Sequence, residues 1–292
     1  MGWRTVVVTG NAKLEYKLDY LVIRKLDSSS KIHLSEIKML IVESTSASLT
    51  TMLLSELNKN KIKVIFCDEK HNPHSELVSY YGSHDTSAKI KKQIEWTKEN
   101  KGLIWTEIIG QKIRNQALHL DERGLKEQSQ LLYDYLDELE FADATNREGH
   151  AAKVYFNALF GKDFSRSQDN GINAALNYGY GILLSFFNRE IVANGYMTQI
   201  GVFHDNMFNQ FNLASDLLEP FRILIDRKVF EMDHSCFEVE EKHEILGIFS
   251  EEIYIDNRIQ FFPNAISIYC RSVFDAINEN DPSLIKFFKY EL

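Results

Sequence analysis

The sequence predicts an α+β protein: an N-terminal β-sheet, sandwich-like domain followed by a larger all-α domain. Three observations carry this. Short alternating or β-branched runs crowd the first 70 residues. From Thr86 onward apolar residues recur at helical spacing. Between Pro73 and Pro263 the only proline is Pro220, so helices run uninterrupted.

Strands are expected at Thr5–Thr9, Lys13–Lys17, Tyr20–Arg24, Lys31–Leu34, Met39–Glu43 and Lys61–Cys67. Alternation is visible in Lys13 to Leu18, and Val6-Val7-Val8 and Val64-Ile65-Phe66 are rich in β formers. Gly10-Asn11 and Asp27 to Ser30 supply turns. A helix is expected from Ser48, with apolar Leu49, Leu53 and Leu57 on one face and the Ser48 hydroxyl as its cap. The polar, turn-rich stretch Asp68 to Asp85 reads as the passage between the two parts, giving a β-rich domain over 1–76, a linker over 77–88 and a helical domain over 89–292. His71, His74 and His84 fall in or beside this passage and read as solvated loop histidines rather than ligands. Beyond it, Ile90, Ile94, Leu103, Ile104, Ile108 and Ile109 fit long amphipathic helices, as do Leu131, Leu132, Leu136 and Leu139. Asn173–Asn194 is apolar on most faces and reads as a central helix.

The bulk numbers describe an ordinary globular chain of 292 residues, 44% hydrophobic and 26% charged, long enough for a substantial core. No apolar run is long enough to cross a membrane, and the N-terminus enters a strand with no leader-like pattern, so a cytoplasmic protein is expected. Gly2 suggests acylation, but Val6 breaks that pattern. Cys67, Cys236 and Cys270 are odd in number and widely spaced, which predicts buried free thiols and excludes a closed zinc site. The net charge of −9 argues against nucleic acid as a partner at first sight. The charge is uneven, however: residues 231–292 carry 5 basic against 13 acidic side chains, whereas 89–114 carry 7 against 3. The latter is a candidate phosphate-contacting stretch, or simply a solvated helix face.

Three segments carry candidate chemistry: Arg147 to Phe156, Gly201 to His204, and Leu213 to Arg222. They offer Glu148, His204 and Glu219, with Asp216 in reserve: carboxylates plus one imidazole, a set suited to a hard cation such as Mg²⁺ or Mn²⁺. Ala151-Ala152 would let another helix or a DNA backbone approach closely. Asp216 and Glu219 are three apart and on a helix would share a face. Pro220 should kink or restart that helix, leaving Glu219 at a beginning. Arg222, Arg227 and Lys228 follow and could meet phosphate or water. Taken alone, each reads as well as a surface ion pair or a cap, and no spacing rule joins positions 148, 204 and 219.

As a whole, the pattern resembles the CRISPR-associated integrase of spacer acquisition. The residues that carry the resemblance are Glu148 to Phe156, Asn173 to Tyr180, Gly201 to His204 and Asp216 to Arg222. Val64 to Lys70 and Tyr80 to Asp85 look like the branch that accompanies a single large RNA-guided nuclease. The resemblance implies Glu148, His204 and Glu219 as metal ligands and catalytic residues, with Asp216 auxiliary. It implies Mg²⁺ or Mn²⁺ as cofactor and a homodimer through the N-terminal domain. It also implies double-stranded DNA (an incoming fragment and the repeat array) and a small ferredoxin-fold companion bridging two dimers, in a prokaryotic cytoplasm with no membrane. The reaction implied is insertion of short foreign DNA by 3′-hydroxyl attack. A metal-dependent nuclease of branched or flapped DNA, and a noncatalytic DNA scaffold, are the alternatives.

Overall fold

The structure, a computed structural model, describes residues 2–80, 83–233 and 237–289. The N-terminal part pairs two four-stranded sheets. One has the order β1 (Arg4–Val8), β5 (Ile37–Val42), β7 (Lys63–Cys67), β8 (Pro73–Glu76); the other runs β4 (Ser29–His33), β3 (Tyr20–Arg24), β2 (Lys13–Lys17), β6 (Ser48–Leu49). The β2–β3 hairpin turns on Leu18 and Asp19, both at positive φ, the geometry of a two-residue turn that matches strand twist. Strand β5 is buried on both faces, as its uninterrupted Ile-Lys-Met-Leu-Ile-Val composition requires. Val6, Val8, Leu14, Leu21, Leu40, Val42 and Val64 fill the space between the sheets, roofed by Leu53 and Leu57 of α1 (Thr51–Lys59). The opposite face, Met39, Ile41, Ile65 and Cys67, joins the core of the helical part.

Ser48 is not the cap of α1. The Ser48 N–H donates to Ala12 O and the Thr50 N–H to Leu14 O, so both residues are committed to the sheet. The helix starts two residues later than expected, and the Thr50 hydroxyl accepts from the Leu53 N–H at 3.3 Å. The passage Asp68 to Asp85 also contains a strand, β8, antiparallel to β7. Its His74 and His84 are exposed, and Tyr81 and Gly82 lie outside the described residues.

The helical part runs through α2 (Thr86–Ile94), α3 (Lys98–Glu122), α4 (Lys126–Asp137), α5 (Arg147–Phe160), α6 (Gly171–Ala193), α7 (Asn212–Leu217), α8 (Arg222–Glu231), α9 (Val239–Gly247) and α10 (Phe262–Glu279). Helix α6 is the expected central helix, buried at Leu176, Tyr180, Ile182, Leu183, Phe186, Phe187 and Ile191. The helical region is not entirely helical. A hairpin, β9 (Glu252–Ile255) and β10 (Arg258–Phe261), turns on Asp256 and Asn257 at positive φ, and β11 (Phe288–Lys289) pairs on the other side of β9. The signal for it was an Asp-Asn pair between Ile-Tyr-Ile and Arg-Ile-Gln-Phe. Cys67 and Cys270 are buried free thiols, and burial pushes the Cys67 thiol up to about 12; Cys236 lies outside the described residues. Among the described residues no helix is long and apolar enough to cross a membrane.

Candidate functional site

Glu148 sits in the first turn of α5. The Asp143 carboxylate accepts from the Arg147 N–H at 2.6 Å and the Glu148 N–H at 3.1 Å, satisfying amides that a helix start leaves free. Asn146, at φ 54°, swings the chain into the helix from that anchor. Ala151 and Tyr155 face the core.

Glu219 lies in a single 3₁₀ turn, Glu219–Phe221, between α7 and α8, and Pro220 makes the break that the sequence anticipates. The Asn115 side chain of α3 donates to Pro220 O at 3.0 Å, pinning the bend. Glu219 is 3% exposed and takes a bidentate pair from Arg222, both bonds at 2.9 Å. Burial alone would raise its pKa; Arg222 and Lys112 outweigh burial and hold it down at about 2.

His204 is set by Asp216, which is fully buried. One Asp216 oxygen accepts from the Val202 and Phe203 amides at 2.6 and 3.0 Å; the other accepts from the His204 amide at 3.0 Å and meets His204 Nδ1 at 2.6 Å. Both oxygens are therefore consumed, and Asp216 does not converge with Glu219 on a shared cation as their three-residue spacing allowed. It orients the imidazole instead. A neutral ring donating Nδ1–H to the carboxylate would leave its lone pair on Nε2. The hydrogen bond to Asp216 is also the chief reason the His204 pKa is raised. The loop can wrap the carboxylate this closely because residue 201 has no side chain: a Cβ there would lie 2.3 Å from His204 O and 2.7 Å from the Asp216 carboxylate. Trp105, fully buried, stacks on Phe203 at 4.4 Å and meets the His204 ring edge-on at 5.8 Å.

Glu148, His204 and Glu219, three predicted site residues from three segments, thus line one cleft of about 280 Å³ with Lys112, Gln116, Phe156, Arg166, Tyr180, Arg222 and Asp226. Lys112 occupies its centre: its Nζ donates to Glu148 at 2.5 Å and to Glu219 at 2.6 Å. Burial works against its charge, but Glu219 and Glu148 outweigh burial and hold its pKa above the usual lysine value. As placed, no group of three His, Cys, Asp or Glu among the described residues encloses a metal ion. The donor set nonetheless suits one. Two carboxylates already share a cation, the Lys112 ammonium, and an oriented imidazole lone pair lines the same cleft; oxygen-rich sets with one nitrogen suit hard divalent cations.

The sequence reading missed the residues of α3 behind this site. Lys112, Asn115, Gln116 and His119 form a buried polar stripe at positions i, i+3, i+4 and i+7 of a largely apolar helix. That stripe is the signal that could have revealed them, since buried polar side chains need partners. Arg166 and Asp226 were missed for lack of any pattern. Arg166 bonds Asn173 and Asn177 of α6 and lies over the Tyr180 ring. The Tyr180 hydroxyl donates to Asp226, whose carboxyl burial raises to about 6. The 89–114 stretch is not one basic face: Lys101 donates to Gly201 O and Lys112 turns into the cleft, while Lys91, Lys92 and Lys98 remain exposed. Arg227 and Lys228 form ion pairs with Glu231 and Glu244.

Fold and cleft together describe an α+β protein, N-terminal β-sheets followed by a helical region whose cleft is lined by Glu148, His204 and Glu219. Residues 5–236 match the family model described as CRISPR associated protein Cas1, and the chain belongs to that family. It is 34% identical over 232 residues to a CRISPR-associated endonuclease Cas1 of Neisseria meningitidis serogroup C (strain 8013), covering 80% of this chain and 76% of the relative. A Francisella tularensis subsp. novicida relative of the same description is 25% identical over 233 residues, 73% of each chain. Among solved structures, TM1797, a CAS1 protein from Thermotoga maritima, superposes with a TM-score of 0.75 at 17% identity, covering 94% of this chain and 97% of that one. A casposase bound to integration product does so with a TM-score of 0.75 at 18% identity, covering 99% and 92%. A chain of a Cas6-RT-Cas1–Cas2 complex gives 0.74 at 18% identity, this chain spanning 99% of itself and 36% of that longer chain.

Proposed function

We propose that this protein is a divalent-metal-dependent DNA integrase and endonuclease of CRISPR adaptation. It would join short foreign DNA fragments to a repeat array by attack of a fragment 3′-hydroxyl on a phosphodiester at the repeat boundary. The observation that carries the reading is the convergence of Glu148 and Glu219 on one cation, the Lys112 ammonium, in a cleft that also holds an imidazole oriented by Asp216. Glu148, His204 and Glu219 would hold Mg²⁺ or Mn²⁺. Bound there, the ion would supply charge neutralisation at the phosphate and acidify the attacking hydroxyl. The chain's own residues do the rest. Asp216 fixes the His204 ring. Arg222 keeps Glu219 ionised at neutral pH. Arg166, held over the Tyr180 ring by Asn173 and Asn177, would offer its remaining guanidinium N–H groups to phosphate oxygens.

The names of the relatives support the same reading: endonucleases, a casposase with its integration product, and a complex containing Cas2. A homodimer working with double-stranded DNA and a small ferredoxin-fold companion, in the branch that accompanies a single large RNA-guided nuclease, completes the proposal. The endonuclease description of the relatives favours one further reading, hydrolysis of branched or flapped DNA with water in place of the 3′-hydroxyl.

The test is a supercoiled plasmid carrying a CRISPR repeat, incubated with protein, companion, Mn²⁺ and fragments with or without a 3′-hydroxyl. Joining that requires the hydroxyl and is lost in Glu148→Ala is expected. Nicking alone would favour the nuclease, and joining that survives Glu148→Ala would remove Glu148 from the site.

A further inference from the structure

A second cleft opens where the β-sandwich meets the helical part. It is a cavity of about 350 Å³ lined by Lys38, Lys61, Arg189 and Arg271, with Glu190 as its one carboxylate and Ser35, Asn60, Asn194 and Ser267 as further polar groups. Its basic side chains come from four places: Lys38 from β5, Lys61 from the turn before β7, Arg189 from the end of α6 and Arg271 from α10. Arg189 lies nine residues beyond Tyr180 on α6, which is two and a half turns and about 14 Å along the axis, on the opposite face of the helix. The cavity is therefore separate from the Glu148–Glu219 cleft.

Its charges do not balance. Lys38 and Arg189, with side chains 5% and 14% exposed, share the single buried carboxylate of Glu190. Arg189 takes the near position, and Lys38 Nζ is left 3.9 Å away, beyond hydrogen-bond distance. Arg189 also gives its Nε–H to Lys61 O at 2.7 Å, which the positive φ of Lys61 turns toward it. That leaves further guanidinium N–H groups for other acceptors. The exposed side chains of Lys61 and Arg271 stand at the mouth without an ion pair among the described residues. Four basic side chains thus share one carboxylate, Lys38 and Arg189 largely buried at the floor and Lys61 and Arg271 exposed at the mouth. Buried charge persists when it is paired, and an excess of cations calls for an anion. Burial, with Arg189 and Arg271 nearby, pulls the Lys38 pKa down to about 7, as expected for an ammonium lacking a close counter-ion.

We propose that this cleft is a phosphate-binding site: Lys38 and Arg189 at its floor and Lys61 and Arg271 at its mouth take one phosphate group. Arginine forks and lysine ammonium groups around a single focus are the chemistry that recognises phosphate oxygens. The phosphate could belong to a DNA backbone, which rests on the DNA reading above, or be a free ion, which does not.

The experiment compares the intact protein with Lys61→Gln/Arg271→Gln, both positions exposed so that the core is untouched, and with Lys38→Met. Inorganic phosphate is titrated against chloride at equal ionic strength, read by thermal melting. Duplex DNA binding is measured across a salt series. A free-phosphate site gives saturable stabilisation of the parent that is lost in the double variant. A backbone site gives no such saturation, but the double variant lowers the slope of log affinity against log salt by up to about 0.9, the value for one phosphate no longer neutralised. Lys38→Met should lose the same response with Lys61 and Arg271 in place. The proposal is overturned if phosphate stabilises parent and variants alike, or not at all, and the salt slopes coincide. If the parent binds no DNA, the DNA reading fails and the phosphate titration alone decides.

Discussion

Lys112→Met removes the ammonium between Glu148 and Glu219 while keeping most of the side chain's bulk. Bonded at 2.5 and 2.6 Å to one nitrogen, the two carboxylate oxygens are at most about 5 Å apart. Two unit charges at that distance repel by about 3 kcal/mol at an effective dielectric constant of about 20. Two features reduce this. Arg222 still neutralises Glu219 through both its bonds, and the Glu148 side chain is 25% exposed, so water screens it. A net loss of about 1–3 kcal/mol remains. Unfolding entropy for a chain of this length is about 0.6 kcal/mol/K, so the variant should melt about 2–5 °C below the parent in EDTA. A divalent ion should then stabilise the variant more than the parent, because the carboxylate pair no longer has an internal cation. At a free concentration one hundred times the dissociation constant the gain is about 2.7 kcal/mol, enough to reverse most of the deficit. Differential scanning fluorimetry with EDTA, Mg²⁺ and Mn²⁺ reads both effects. Identical melting in EDTA, or an equal gain from metal in both proteins, would refute the idea that Lys112 stands in for the cation.

Asp216→Asn should cost about 2–4 kcal/mol, since whichever way the amide faces, its NH₂ meets backbone N–H donors that the carboxylate now satisfies; chemical denaturation measures it, and a loss under 0.5 kcal/mol would count against this role. Gly201→Ala should disturb the same loop sterically, with metal affinity falling at least tenfold by calorimetry and the fold retained; unchanged affinity would show that the loop gives way cheaply. Lys38 predicts a pH effect. The folded protein holds it at about 7 against an ordinary 10.5, so between those values the unfolded chain binds more protons. Its contribution to stability therefore rises with pH across that window and is least favourable below 7. Lys38→Met should flatten the stability–pH curve there and gain about 2–4 kcal/mol near pH 6, compared by urea melts in phosphate-free buffer at pH 6 and 9; a parallel offset at both pH values would contradict it.

Most strand and helix positions were legible in the sequence because each is a local matter, but the start of α1, the strands β6 and β8 and the sheet of β9 to β11 were not. Alternation over Lys13–Lys17 and the apolar surface of residues 173–194 depend only on backbone period. The candidate site was legible only as residue types: Glu148, His204 and Glu219 could be listed, but nothing in their spacing joined them, and Pro220 marked the break before α8. The tertiary structure decided what each does to the others. Asp216 and Glu219 share a spacing that allowed convergence, yet one turns to the backbone of residues 202–204 and the other to Arg222 and Lys112, because the three-residue rule holds within a helix and α7 ends between them. Lys112 reads in the sequence as one more basic residue of a charged stretch, and only the packing of α3 behind α5 and the Pro220 turn places its ammonium between two carboxylates. Lys38 likewise sits in an apolar run that foretells a buried strand, but what shares its cavity comes from α6 and α10, some 150 and 230 residues away. Periodicity fixes which way a side chain faces along its own element; which charges meet there depends on chain closure over distances that no local pattern encodes.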